Sequence, residues 1–193
     1  LEDVRVSVRD YDAMRRRMLD CARELASAKT NADKGEVEEA VELARQLPDV
    51  GFLEQAHAQE HSLEVHLPFL QEVLGEFKLV PLVVGEARPP QVGAILEALW
   101  GGPETLVVIS SDLSHYHDYQ TARRMDGETS RAIEALRFEE IGYEQACGRN
   151  PVNGLLWVAQ RKGLHVETID LRNSGDTAGP RDHVVGYGAY VCH

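Results

Sequence analysis

Thr105–Tyr119 reads TLVVISSDLSHYHDY, a run of aliphatic and β-branched residues from Leu106 to Ile109 that stops abruptly at Ser110-Ser111-Asp112. A short apolar run bounded in this way predicts a fully buried strand of an α/β sheet. Ligands of open α/β sheets bind beyond the carboxyl ends of the strands. Asp112 and His115 therefore stand where acid–base or metal chemistry is built, with His117 and Asp118 close behind. The competing reading is a hydrogen-bonded strand-to-helix turn capped by Asp112 or Ser114.

Outward from this stretch, Leu79–Val84, Leu164–Leu171 and Val184–Val191 have the same buried-strand composition. Helical spacing of apolar residues fills the intervals: Leu63–Leu74, Pro90–Trp100, a long surface helix over Tyr119–Leu136, and Val152–Arg161. Pro68 must cap or kink the first of these, because proline lacks the amide a helix interior needs. Further upstream, Leu1–Arg9 alternates valines with polar residues as an edge strand does. Asp10 is placed to cap a following helix, Ser27–Lys34 is loop-like, and Val37–Leu47 is helical up to Pro48. The alternation predicts one α/β domain with a central, mostly parallel or mixed sheet flanked by helices. No repeat or linker interrupts it.

Composition narrows the function classes. The 193 residues carry a formal charge of −12, which argues against a nucleic-acid or anionic-membrane surface, since phosphate binding needs clustered lysine and arginine. Cys21, Cys147 and Cys192 are odd in number and far apart. That pattern implies free thiols in a reducing compartment, without a disulfide framework. No apolar run is long enough for a membrane span and no signal peptide opens the sequence, so a cytoplasmic protein is expected. The initial leucine is expected of a processed or partial chain.

Two further stretches hold chemistry-bearing residues. His57–Leu74, HAQEHSLEVHLPFLQEVL, crowds Glu60, His61, Glu64 and His66 at its start. His57 and His61 have the i, i+4 spacing of zinc proteases, but Gln59-Glu60 stands between them in the wrong order for that motif. His61 and His66 are expected to line a pocket or to serve structure. Cys147 precedes Gly148-Arg149 at the start of a helix, where the helix dipole and the neighbouring arginine favour the thiolate. A small buried residue is the alternative there.

The order EHSLEVHLPF (Glu60–Phe69), VPLVVG (Val80–Gly85), SSDLSH (Ser110–His115), ACGRNPV (Ala146–Val152) and NSGDTAG (Asn173–Gly179) resembles the Memo family. It is most similar to the bacterial branch called AmmeMemoRadiSam system protein B. The resemblance covers Pro48 onward, leaving 1–47 as a divergent N-terminal segment of a single Memo-like domain over 1–193. It implies a fold like that of the class III extradiol dioxygenases, which use non-haem iron. It also implies that Cys147 occupies a metal-ligand position, that His115 matches a catalytic base, and that Asp112 is its pocket partner. His61, His66, Arg149 and Ser174 are the candidates for contacting substrate.

One departure weighs against a full metal site. The family's other two ligands are histidines in H-A-G-Y and G-P-S-H motifs, and neither motif occurs in this sequence. Non-haem iron usually takes two histidines and a carboxylate. A transition metal, iron or copper, is therefore expected to bind weakly or not at all. Two functions stay open: a metal-dependent, dioxygenase-like oxidoreductase, or a non-catalytic module that holds a small molecule or peptide in the same cleft.

Overall fold

Strand β3, Val184–Cys192, is the hub of the sheet in the computed structural model, which describes residues 42–47, 49–51, 53–58, 60–177 and 179–193. On one side it pairs antiparallel with β2, Val166–Asn173, in a ladder running from Val166↔Cys192 to Asn173↔Gly186. On the other it pairs antiparallel with the short β1, His115–His117, through His115↔Val185 and His117↔Val184. The order is β1-β3-β2. The domain is α/β, but its sheet among the described residues is small and antiparallel, not the mostly parallel or mixed sheet expected.

Among the described residues, the helices with both ends in view are α1 (Glu54–His57), α2 (Leu67–Leu74), α3 (Pro89–Ala98), α4 (Tyr119–Glu134) and α5 (Arg149–Lys162). Short 3₁₀ turns lie at Phe138–Glu140 and Ser174–Asp176. Prolines stand in the first turns of α2, α3 and α5, where a missing amide costs no intrahelical bond. Asp118 caps α4 by accepting the amides of Gln120 (3.0 Å) and Thr121 (3.1 Å). Those bonds also hold the Asp118 carboxyl below the usual range, with Thr121 the main cause. The cap expected at Asp112 or Ser114 thus sits further on, after β1.

Two apolar clusters share α5. Leu156 packs with Ala132, Ile133, Ile141 and Ala146, backed by Val166 and Tyr190 of the sheet. Val158 packs with Val92 and Leu96 of α3, backed by Val84, Val107 and Trp157.

The runs Leu79–Val84 and Thr105–Ser111, expected as central strands, are extended segments without a ladder. A strand exists only through hydrogen bonds to a neighbour, and neither run has one among the described residues. Val84 and Val107 turn inward onto the α3–α5 cluster, whereas Leu79, Leu82, Val83 and Val108 stay 40–45% exposed. Residues 42–46 are helical, matching the end of the helix expected over Val37–Leu47. The strand at Leu1–Arg9, the helix after Asp10 and the loop at Ser27–Lys34 lie outside the described residues. Among the described residues no helix is long and apolar enough to cross a membrane.

Candidate functional site

The extended run through Ser110 delivers Asp112 to the surface, and β1 begins three residues later with His115. The Nε2 of His115 lies 3.6 Å from Oδ2 of Asp112. Cys147 arrives from the turn before α5, and its Sγ accepts the backbone N–H of Asp112 at 3.3 Å. Ligand atoms of Asp112, His115 and Cys147 all lie within 4.8 Å of one another. Cys147 is exposed rather than the small buried residue that was the alternative.

Ser111 and Gly148 make this approach close. Ser111 Oγ donates to the Asp112 carbonyl (2.7 Å) and accepts the Gly148 N–H (2.9 Å). A Cβ on Gly148 would meet the Ser110 carbonyl oxygen at 2.6 Å and the Ser111 side chain at 2.8 Å. Only glycine lets the Cys147 turn sit so near the Ser110–Asp112 backbone.

The other four candidates divide. His66 Nε2 hydrogen-bonds Ser110 Oγ at 3.0 Å, and that hydroxyl also reaches the Ser62 carbonyl at 3.3 Å. The Glu60–Phe69 stretch is thereby tied to the run that carries Asp112. His61 points away from this contact and pairs with Glu64 at 3.0 Å on the exposed surface. Arg149 stacks over the Tyr143 ring, 3.7 Å from its centroid, and reaches Glu86 at 3.8 Å. Its Nε is buried without a hydrogen-bond partner. Ser174 Oγ accepts the Val185 N–H at 3.1 Å. It therefore steadies the β3 residue that pairs with His115.

Two residues that sequence reasoning passed over belong to this neighbourhood. Burial, and then the nearby Asp112 carboxylate, push the Tyr187 phenol above its ordinary pKa, so it keeps its proton. Asp126 of α4 is almost wholly buried, and its Oδ1 accepts the Ser114 N–H at 3.0 Å. Burial raises its pKa, opposed by the Ser114 hydrogen bond and by His117 and His115. The signal for Asp126 was present in the helical phase: it lies four residues after Ala122 and three before Thr129, both on the inward face.

A thiol, an imidazole and a carboxylate gathered beside a small sheet define an α/β protein with a mixed S/N/O donor cluster. The chain belongs to the Memo-like family, whose model matches residues 31–191. It is 34% identical over 170 residues to a MEMO1 family protein of Archaeoglobus fulgidus, covering 81% of this chain and 65% of that protein. A MEMO1 family protein of Saccharolobus solfataricus is 32% identical over 148 residues, covering 69% of this chain and 52% of that protein. One from Sulfolobus acidocaldarius is 32% identical over 160 residues, covering 77% and 56%. The chain thus spans between about half and two thirds of the length of these relatives.

Proposed function

We propose that Asp112, His115 and Cys147 form a metal-assisted reaction site of redox, dioxygenase-like type, acting on a small organic or peptide ligand in a cytoplasmic setting. The observation that carries this reading is the convergence of the three donors within 4.8 Å. The donor set fits a transition metal. Thiolate and imidazole select iron, copper or zinc over magnesium and calcium, and three protein ligands with an open position are what a catalytic ion requires. A bound ion supplies Lewis-acid or redox chemistry. The chain's own residues do the rest. Cys147 would anchor the ion, and His115 would serve it through a neutral imidazole or, when displaced from it, take a proton from the ligand. Asp112 would complete the donor set or orient the displaced imidazole across their 3.6 Å contact, while Tyr187 stands by as a protonated donor.

Among the described residues the donor set stops at three, and a thiolate competes with its own proton, so metal binding is weak and weaker still as pH falls. Titration of the purified chain with iron(II), copper(II) and zinc(II), each separately, tests this by calorimetry. Binding weaker than about 1 μM that disappears in Cys147→Ser is expected. Unchanged binding in that variant, or none in the wild-type chain, overturns the reading.

A non-catalytic binding module is the second reading, with its ligand in a recess between α4 and β2 and not in the Asp112–His115–Cys147 cleft first expected. The recess holds a cavity of about 130 Å³ lined by Arg123, Asp126, Leu171, Arg172, Asn173 and Asp176. Arg123 and Arg181 both approach the Tyr119 ring, at 5.8 and 4.5 Å from its centroid. This mixture of guanidinium, carboxylate and aromatic groups suits a small ligand of mixed charge. Saturable ligand binding that is lost in Arg123→Ala but unaffected by Cys147→Ser would favour this reading over the first.

A further inference from the structure

We propose that Asp126 is a positioning residue for the Asp112–His115–Cys147 cluster, acting through the Ser114 amide that lies between two of its members. The inference rests on the metal-site reading above. Strand β1 by itself is a poor support for His115. It has three residues, a register shift between His115 and His117, and a positive φ of 60° at Tyr116. A ladder this short and irregular leaves the placement of His115 to other bonds.

Those bonds come from the residues just before it. The Leu113 N–H donates to the Gly186 carbonyl at 2.9 Å, and the Gly186 N–H returns a bond to the Ser114 carbonyl at 2.8 Å. The remaining amide of the pair, that of Ser114, turns inward and meets Asp126 Oδ1 at 3.0 Å. Leu113 and Ser114 are both buried, at 3% and 0% exposure, so an unmet amide there would cost its full desolvation. Asp126 meets it from α4, a separate element, and fixes the segment in a direction that the sheet bonds do not.

Gly186 is shaped to admit that carboxyl. A Cβ at this position would lie 2.1 Å from Asp126 Oδ2 and 2.5 Å from its Cγ. The second oxygen therefore occupies the space a side chain on β3 would take. Asp112 lies two residues to one side of Ser114, and His115 directly follows it. Cys147 is held to Asp112 by the Asp112 N–H. Displacing Ser114 therefore shifts Asp112, with the Cys147 bonded to it, relative to His115, and groups that orient ligands from outside the donor set typically control metal affinity by about 10–100-fold.

Asp126→Asn, Asp126→Ala and Gly186→Ala, made in the full chain, test this. The first keeps an acceptor for Ser114, the second removes it, and the third pushes the carboxyl away while leaving it intact. Two readouts are taken: the His115 ring signals by NMR without metal, with His165 as control, and the affinity and thiolate-to-cobalt charge-transfer band with cobalt(II). His165 is bonded to His193 at the far end of the β2–β3 ladder. Asp126→Ala and Gly186→Ala are expected to move the His115 signals, spare those of His165, and weaken cobalt binding at least about tenfold. Asp126→Asn is expected to restore both readouts nearly to wild type. A folded Asp126→Ala chain with unchanged His115 signals and cobalt affinity overturns the proposal. So do His165 signals that move as much as those of His115. If Asp126→Ala does not fold, the contrast between Asp126→Asn and Gly186→Ala decides. Failure of wild-type protein to bind cobalt ends the metal reading alone, and the His115 signals then decide the positioning role.

Discussion

Thr105–Ile109, TLVVI, is if anything a better strand sequence than β3, VVGYGAYVC, which contains two glycines. Yet β3 is the centre of the sheet, and Thr105–Ile109 has no ladder among the described residues. The difference lies in partners. β3 runs between β1 and β2, which satisfy its amides on both edges. Thr105–Ile109 finds side-chain contact on one face, where Val107 meets the α3–α5 cluster, and leaves Val108 on the other face 45% exposed. Apolar, β-branched composition reports a demand for burial, while strand formation needs a backbone neighbour as well. The packed region from Leu113 onward meets both demands, and the region from Leu79 to Ile109 meets the first in part.

Substitution can break or sharpen that contrast. Leu156, 1% exposed at the centre of the α4–α5 cluster, should show the largest effect. Leu156→Ala is expected to lower stability by about 2–5 kcal/mol in urea unfolding, because the cavity it leaves is enclosed on all sides. A loss below about 1 kcal/mol would mean that the cluster is loosely packed and the contrast false.

Gly148 lies on the seam between the two regions, against Ser110 and Ser111. Gly148→Ala must open that seam and should cost about 1–3 kcal/mol, since the Ser110 carbonyl it would meet is backbone that cannot step aside. The same variant should also alter the alkylation rate of Cys147 by iodoacetamide, which a change confined to stability would leave alone.

A smaller effect, in the packed region only, is tied to pH. Burial raises the Asp126 pKa in the folded state, so the folded chain keeps a proton that the unfolded chain has already released. Stability is full below the ordinary carboxylate range and falls as pH rises through the folded value of Asp126. Asp126→Asn should abolish that fall, which is checked by urea midpoints measured across the acidic to neutral range. Midpoints that run parallel in both proteins would refute it.

The smallest effect should come from the open region. Val108→Thr adds a hydroxyl to an exposed face and is expected to change stability by less than about 0.5 kcal/mol. Backbone amides of 105–109 should exchange with deuterium faster than those of β2 and β3. A cost comparable to that of Leu156→Ala would show that the run is covered in solution, and the contrast would collapse.

Much of the site was legible in the sequence because its residues sit where element ends are marked. Asp112 follows the last aliphatic residue of its run, and Cys147 precedes a Gly-Arg-Asn-Pro helix start, so both could be placed at one end of the layer. Of the two histidines expected to line a pocket or serve structure, only His66 meets the run that carries Asp112. The stretch has helical spacing from Leu63, but 62–66 are turns and the helix opens only at Leu67, which leaves His61 facing solvent with Glu64. The sheet was the least legible part, because a run of aliphatic residues does not say whether a neighbouring strand exists or in which direction it runs. Asp126 escaped notice for a different reason. In ARRMDGETS an aspartate looks like one more solvated charge, and only its phase with Ala122 and Thr129 marks it as inward.

The place of β3 in the sheet also bears on the order in which the protein is made. Its two partners are both synthesised earlier, and β1 precedes its pairing residues by nearly seventy positions. A nascent chain that has emerged only as far as Asn173 holds the sequences of α1 to α5, but among the described residues has no partner yet for β1 or β2. Contacts that span so much sequence form late, after the loop between them has closed. The Ser114 segment waits for Gly186, so Asp112 and His115 take their final places only when β3 arrives. During translation, the donor cluster is completed only once β3 has followed the helices and the two strands that precede it.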